Sequence, residues 1–269
     1  MKLRKIMGEL FSIYNPKVAE EWDNVGLLLG NENSEINKIM VCLDITEKAI
    51  NEAISRKVDL IISHHPFIFS GIKRITDETE LGRKILKLAE NRIAVYSIHT
   101  NADFAINGLN DFVMDKLKLD GEMYIFNEFE FDDYNYIKNK NEKIKCGSVR
   151  IKVLNNEMEL VDLIEQIKTN LGLDYVRYAG ENRNIRKIGL VTGGGSSFLK
   201  DIKKDIDVFL TGDLRHHEAL DTIEEGGILV DIGHYESEYL FVDLMELQLS
   251  KFFEGEIIKY FGEVVFKLG

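Results

Sequence analysis

A chain of 269 residues suits one large domain or two of about 100–150 residues each. Apolar residues make up 45% and charged residues 30%, an ordinary globular mixture that excludes wholesale disorder. With 34 basic against 46 acidic residues the net charge is −12, which disfavours nucleic-acid binding without a local basic patch; no apolar run approaches the ~20 residues of a membrane span.

The N-terminal stretch MKLRKIMGELFSIYNP turns polar too soon for a signal peptide. Two cysteines, Cys42 and Cys146, are too few for a disulfide framework and are expected as buried free thiols in a reducing cytoplasm. Leu3, Ile6, Met7, Leu10, Phe11 and Tyr14 follow helical spacing. Residues 37–45 read as a buried strand, and 46–57 as a helix capped by Thr46 with Glu47 in its first turn. Residues 58–66 form a second strand running into a loop, 79–92 a helix and 93–101 a third strand. This β-α-β rhythm predicts a parallel sheet covered by helices. The indole of Trp22, just before the strand-like VGLLLG, is expected in the core.

Residues 124–141 are aromatic, acidic and weakly periodic, and read as a boundary with an exposed loop or edge strand; the acidic run 128–133 reads as solvated surface. A second α/β set follows. CGSVRIKVL is a strand, MELVDLIEQIKTNLG a helix, and KIGLVTGGGSS a strand with a Gly-rich turn. Two strand–turn–helix segments come next, then a final strand in EIIKYFGEVVFKL. The expected fold is α/β: two similar domains with mostly parallel sheets. The tail returns to the first domain, so the expected bounds are 1–125 plus 235–269 and 126–234.

Ligands of open α/β sheets bind beyond the carboxyl ends of strands. Four strands here end in polar clusters: Ser63-His64-His65-Pro66, His99-Thr100-Asn101-Ala102-Asp103, Gly212-Asp213-Leu214-Arg215-His216-His217 and Gly233-His234-Tyr235-Glu236-Ser237-Glu238. All six histidines of the chain lie in these clusters. Imidazoles and carboxylates on rigid strand ends suit divalent first-row metals. His234 and Glu238 are spaced i, i+4 and share a helix face, and adjacent His64 and His65 point in different directions, so one can serve each of two ions. A carboxylate such as Asp103 can bridge two ions about 3.5–4 Å apart. Each feature also has a purely structural counterpart: a surface His-His pair, a core His99, an Asp103 helix cap, a His234–Glu238 surface pair. Recurrence of the strand-end position four times favours the metal reading. The turn 192–197 lacks the lysine and spacing of a P-loop and reads as a flexible turn; Asp44 stands beside the site or bonds the start of the next helix.

EWDNVGLLLG, ISHHPFIF, SIHTNADF, TGDLRHHEA and DIGHYESE, in this order, resemble the Nif-three-like dinuclear metal-centre family, often labelled GTP cyclohydrolase I type 2 homologues. The resemblance spans about residues 5–265, and at 269 residues the chain looks like the short form without an inserted domain. It implies a metal site between the two domains at strand C-terminal ends, with two divalent ions (Zn, Fe, Mn or Co) per chain. The ligands fall on His64, His65, Asp103, His234 and Glu238, with Asp103 and Glu238 bridging. His99, His216 and His217 match motif residues near the site and are the candidate catalytic groups. It also implies a homohexamer and a metal-dependent hydrolase of a small molecule, with GTP ring opening, a phosphoester or another C–N bond as the candidate chemistry. The alternative is a non-catalytic metal-loaded scaffold or regulatory partner-binding protein.

Overall fold

The computed structural model describes residues 1–266. The elements run α1 (Leu3–Ile13), β1 (Gly26–Leu29), β2 (Lys38–Cys42), α2 (Glu47–Ser55), β3 (Leu60–Ser63), α3 (Glu80–Glu90), β4 (Ala94–Ser97), α4 (Thr100–Phe104) and α5 (Leu109–Lys116). Then come β5 (Gly121–Phe126), β6 (Phe129–Asn135), β7 (Lys140–Cys146), β8 (Val149–Glu159), α6 (Leu160–Leu171), β9 (Arg177–Ala179), β10 (Asn184–Leu190) and α7 (Leu199–Ile202). The last are β11 (Val208–Thr211), α8 (His216–Glu224), β12 (Leu229–Asp231), α9 (His234–Glu238), α10 (Phe241–Leu249) and β13 (Glu256–Tyr260).

These elements form two compact units. One holds Met1–Ala105, Glu130–Ile144 and the described residues 241–266; the other holds Ile106–Phe129 and Lys145–Leu240. The bounds differ from a split at 125/126 and 234/235 for local reasons. Helix α5 packs on β8, which carries 106–125 into the second unit. Residues 130–144 go with the first because Asn135 donates to the Gly8 carbonyl and Ser12 to Glu142. The chain re-enters the first unit at α10, which packs on β2 and β13.

In the first unit the strand order is β1-β4-β3-β2-β13. β13, β2, β3 and β4 are parallel neighbours, and β1 closes the edge antiparallel to β4. Strands β2, β3 and β4 are apolar and almost entirely buried, as strands covered on both faces must be. Helix α2 starts where the sequence predicts, its Thr46 hydroxyl accepting from the Ala49 N–H at 3.1 Å; Thr79 caps α3 through the Gly82 N–H at 3.0 Å. Ile50 and Ala53 of α2 and Leu88 of α3 meet Met40, Ile61 and Val95 in one cluster.

The second unit has the order β5-β8-β10-β11-β12-β9. Its centre, β10-β11-β12, is parallel, and β5, β8 and β9 pair antiparallel. Helix α6 ends on Gly172 in the left-handed conformation, the usual way to stop a helix. Buried Arg150 pairs with Asp111 and donates to the Gly147 carbonyl, so its charge is compensated within the unit.

Two surface expectations are corrected. The stretch read as an exposed loop or edge strand does hold the end of edge strand β5, but it also contains β6 and the start of β7, a two-stranded ribbon. Its Asp133 is buried rather than solvated, because the side chain takes hydrogen bonds from Asn15 and Lys17. Trp22 is 56% exposed, not in the core, because its turn is held by polar bonds that leave the ring outside. Cys42 and Cys146 are buried and unbridged. Among the described residues no helix is long and apolar enough to cross a membrane.

Candidate metal centre

Parallel pairing puts Cys42, Ser63 and Ser97 side by side at the carboxyl ends of β2, β3 and β4. The next residues on each strand therefore leave one edge of the sheet: Asp44, then His64 and His65, then His99. His64 is fully buried against the Phe241 ring, 4.8 Å between centroids. Ligand-type atoms of His64, His65 and His99 all lie within 4.8 Å of one another. Asp103, buried on α4, places Oδ1 3.7 Å from His64 Nε2, outside hydrogen-bond range. It lies inside α4, and Gly108 precedes α5, so Asp103 is not the cap of that following helix.

Each imidazole is anchored through Nδ1. His64 Nδ1 lies 2.9 Å from the Ile98 carbonyl, His65 Nδ1 2.8 Å from Asp44, and His99 Nδ1 2.9 Å from Asp23. A carbonyl can only accept, so His64 Nδ1 carries a proton; the carboxylates favour a protonated Nδ1 at His65 and His99 as well. Burial would raise the Asp23 pKa. Hydrogen bonds from His99 and Thr100 and the His99 charge outweigh it and hold the carboxyl below its ordinary value.

The second unit repeats the device. Leu190, Leu210 and Val230 are aligned across parallel β10, β11 and β12. Beyond their carboxyl ends lie the glycine turn 193–195, Asp213 and His234. His234 Nδ1 is 2.7 Å from Asp213 Oδ2 and its Nε2 2.9 Å from Glu238 Oε2. The i, i+4 pair on α9 thus meets as the spacing predicts. The Glu238 hydrogen bond chiefly, against partial burial and with help from Asp213, raises the His234 pKa to about 9. That preference for a proton measures a preference for positive charge, and a metal ion would bind by displacing the proton.

Two glycines permit this packing. A Cβ on Gly193, whose φ is +63°, would stand 1.9 Å from Glu238 Oε1, and one on Gly212 would stand 2.5 Å from the His234 backbone nitrogen. The Gly-rich turn is therefore a close approach to Glu238, held by the Gly193 N–H donating to Ser237 Oγ at 3.0 Å. His216 and His217 open α8, exposed, their rings 5.3 Å apart.

A family model described as Duf34/NIF3 (NGG1p interacting factor 3) matches residues 1–263. The chain belongs to the DUF34/NIF3 family. The GTP cyclohydrolase 1 type 2 homolog of Clostridium perfringens is 38% identical over 241 residues, covering 89% of this chain and 87% of its own. The NIF3 homolog of Schizosaccharomyces pombe is 35% identical over 262 residues, covering 95% and 90%. A crystal structure of a Staphylococcus aureus hypothetical protein superposes with a TM-score of 0.85 at 31% identity, covering 97% and 96%.

Within this NIF3 chain the residues that sequence reasoning missed are the anchors. Asp23 and Asp213 lie 76 and 21 positions from the histidines they hold. No periodicity links such pairs. The one available signal is that Asp23 and Asp213 sit inside the family motifs EWDNVG and TGDLRHH. The donor set fits divalent metals: imidazole nitrogens with carboxylates, each imidazole oriented by a carbonyl or carboxylate as metal-bound histidines are.

Proposed function

We propose that this NIF3-family chain is a hydrolase using two divalent metal ions held by His64, His65, Asp103, His234 and Glu238. The observation that carries the reading is the shared Nδ1 anchoring of His64, His65 and His234, the arrangement in which Nε2 would serve as the ligand atom of each. Zn, Fe, Mn and Co all suit such ligands. When bound, a pair of such ions polarises a substrate oxygen and activates water. Asp103 and Glu238, both buried, would supply negative charge to hold the ions. His99 is the proposed proton carrier, its imidazole oriented by Asp23. His216 and His217 are proposed to contact an anionic group of the substrate.

The relatives named GTP cyclohydrolase 1 type 2 homolog support a nucleotide as the first substrate to test, with opening of the purine ring at C8 and loss of formate as the candidate reaction. The proposal includes a cytoplasmic homohexamer, and the two buried, unbridged cysteines suit a reducing compartment. The test is a screen of metal-reconstituted protein over nucleotides, phosphoesters and cyclic amides. Turnover of one class is expected, abolished in folded Asp103→Ala. Metal-loaded, folded protein without turnover on any class would point instead to a scaffold.

A further inference from the structure

We infer that Trp22, together with Phe69, is a stacking platform for a planar heteroaromatic ring beside the histidine cluster. Both rings stand out from the surface, Trp22 56% and Phe69 52% exposed. Their centroids are 5.8 Å apart with planes inclined at 39°, and the indole meets the His99 imidazole edge-on, at 5.9 Å and 70°. Large aromatics side by side in water are a departure from ordinary burial, and here they border an imidazole of the candidate metal centre.

The backbone beneath them is clamped. The Asp23 N–H donates to the Glu20 carbonyl, forming the turn that carries Trp22. The Asp23 carboxylate takes hydrogen bonds from the Thr100 N–H and hydroxyl and bonds His99 Nδ1. The Glu20 N–H donates to Thr100 Oγ1 at 3.0 Å. Asn24 Nδ2 donates to the Ile68 carbonyl at 2.6 Å, tying the Trp22 segment to the segment of Phe69. The polar bonds fix both backbones relative to His99 while more than half of each ring stays exposed, so a ring that lands there meets a preorganised surface.

The chemistry of that surface selects its occupant. An indole face rewards a flat π-system and is sequence-tolerant among nucleobases. The edge-on imidazole puts His99 at the border of the stacked ring. The substrate class assigned is therefore a planar nitrogen heterocycle whose reacting bond reaches the cluster. This substrate role rests on the hydrolase reading above, but binding of the ring can be measured without turnover.

Trp22 is the single tryptophan of the chain, so intrinsic fluorescence reports on the platform itself. Metal-loaded protein would be titrated with guanosine, adenosine, uridine and nicotinamide, and with ribose 5-phosphate as the sugar-phosphate control that lacks an aromatic ring. Saturable quenching by at least one ring and none by ribose 5-phosphate is expected. By calorimetry, Trp22→Leu should bind that ring about tenfold more weakly and Trp22→Phe nearly as well as the parent. Metal content and light-scattering mass should be unchanged in both. The inference is overturned if no ring alters the fluorescence, or if Trp22→Leu binds as tightly as the parent. A change of assembly mass in Trp22→Leu also overturns it, since Trp22 would then lie between copies of the chain. Quenching by a ring in protein that takes up no metal supports the platform while the hydrolase reading falls. Full metal uptake with no ring response overturns the platform and leaves the hydrolase reading to the turnover screen.

Discussion

An imidazole offers a metal either of two nitrogens, and what the other nitrogen touches decides which. His64 Nδ1 is taken by a backbone carbonyl, and Nδ1 of His65, His99 and His234 by Asp44, Asp23 and Asp213. If Asp103 and Glu238 each touch both ions, removing either leaves two cations a few Å apart with less negative charge between them. Asp103→Ala and Glu238→Ala should then lose both ions together in dialysis against a mild chelator, while His65→Ala keeps more of one; circular dichroism confirms folding. Full two-ion occupancy in folded Asp103→Ala would refute the bridging role. The glycine turn supplies a sharper test of position. Gly193→Ala puts a methyl onto Glu238 Oε1, whereas a Cβ at Gly194 has nothing nearer than 3.8 Å. Gly193→Ala should weaken metal retention at least about tenfold, the lower end of what displaced supporting groups cost, and Gly194→Ala should leave it intact. Equal retention by the two variants would count against a Glu238 ligand.

At the scale of elements, adjacent parallel strands lie about 4.8 Å apart, so three strand ends bring their following residues into one small region. That is why clusters 34 residues apart in sequence, after β3 and β4, become neighbours: Ser63 pairs with Ser97. The β6–β7 ribbon is held differently, by polar bonds to the segment around α1. Burial would raise the Asp133 pKa, but hydrogen bonds from Lys17 and Asn15 outweigh it and hold the carboxyl below its ordinary value. Glu142 is likewise lowered, by Ser12, Lys140 and Asn135 against its partial burial. A carboxyl depressed in the folded state stabilises fully above its unfolded pKa of about 4, and the contribution is lost as pH falls through the lower folded value. As pH falls below about 4, residues 129–146 should therefore lose hydrogen-exchange protection relative to the β2–β3 amides. Asp133→Asn should show the faster exchange already at neutral pH. Exchange in the ribbon that is independent of pH relative to β2–β3 would sink this account.

At the scale of the whole molecule, the proposed assembly predicts a light-scattering mass near six times the 30.9 kDa of one chain. Elemental analysis of protein purified without chelator should find about two first-row metal ions per chain. A mass near one chain at micromolar concentration would remove the hexamer, and metal content near zero under replete conditions would remove the metal centre. The two measurements are independent, because a ring can assemble without metals and a monomer can hold them.

Much of this protein was legible from its residues alone. Thr46 and Thr79 mark helix starts through hydroxyls that accept backbone N–H groups three residues on, and the apolar runs 39–42 and 60–62 mark strands buried on both faces. Such signals are local, and so is the i, i+4 meeting of His234 with Glu238. The strand-end histidines could be recognised as a set because loops at the carboxyl ends of parallel strands are where α/β sheets place ligands. What the residues could not announce depended on separation in sequence. The Asp23 and Asp213 anchors, the inward turn of Asp133 in an acidic run and the outward turn of Trp22 each depend on a partner brought near by folding. Composition makes an acidic run look solvated and an indole look buried. Only the tertiary structure decides otherwise, because a buried carboxylate needs specific donors and an exposed ring needs a backbone fastened by other groups.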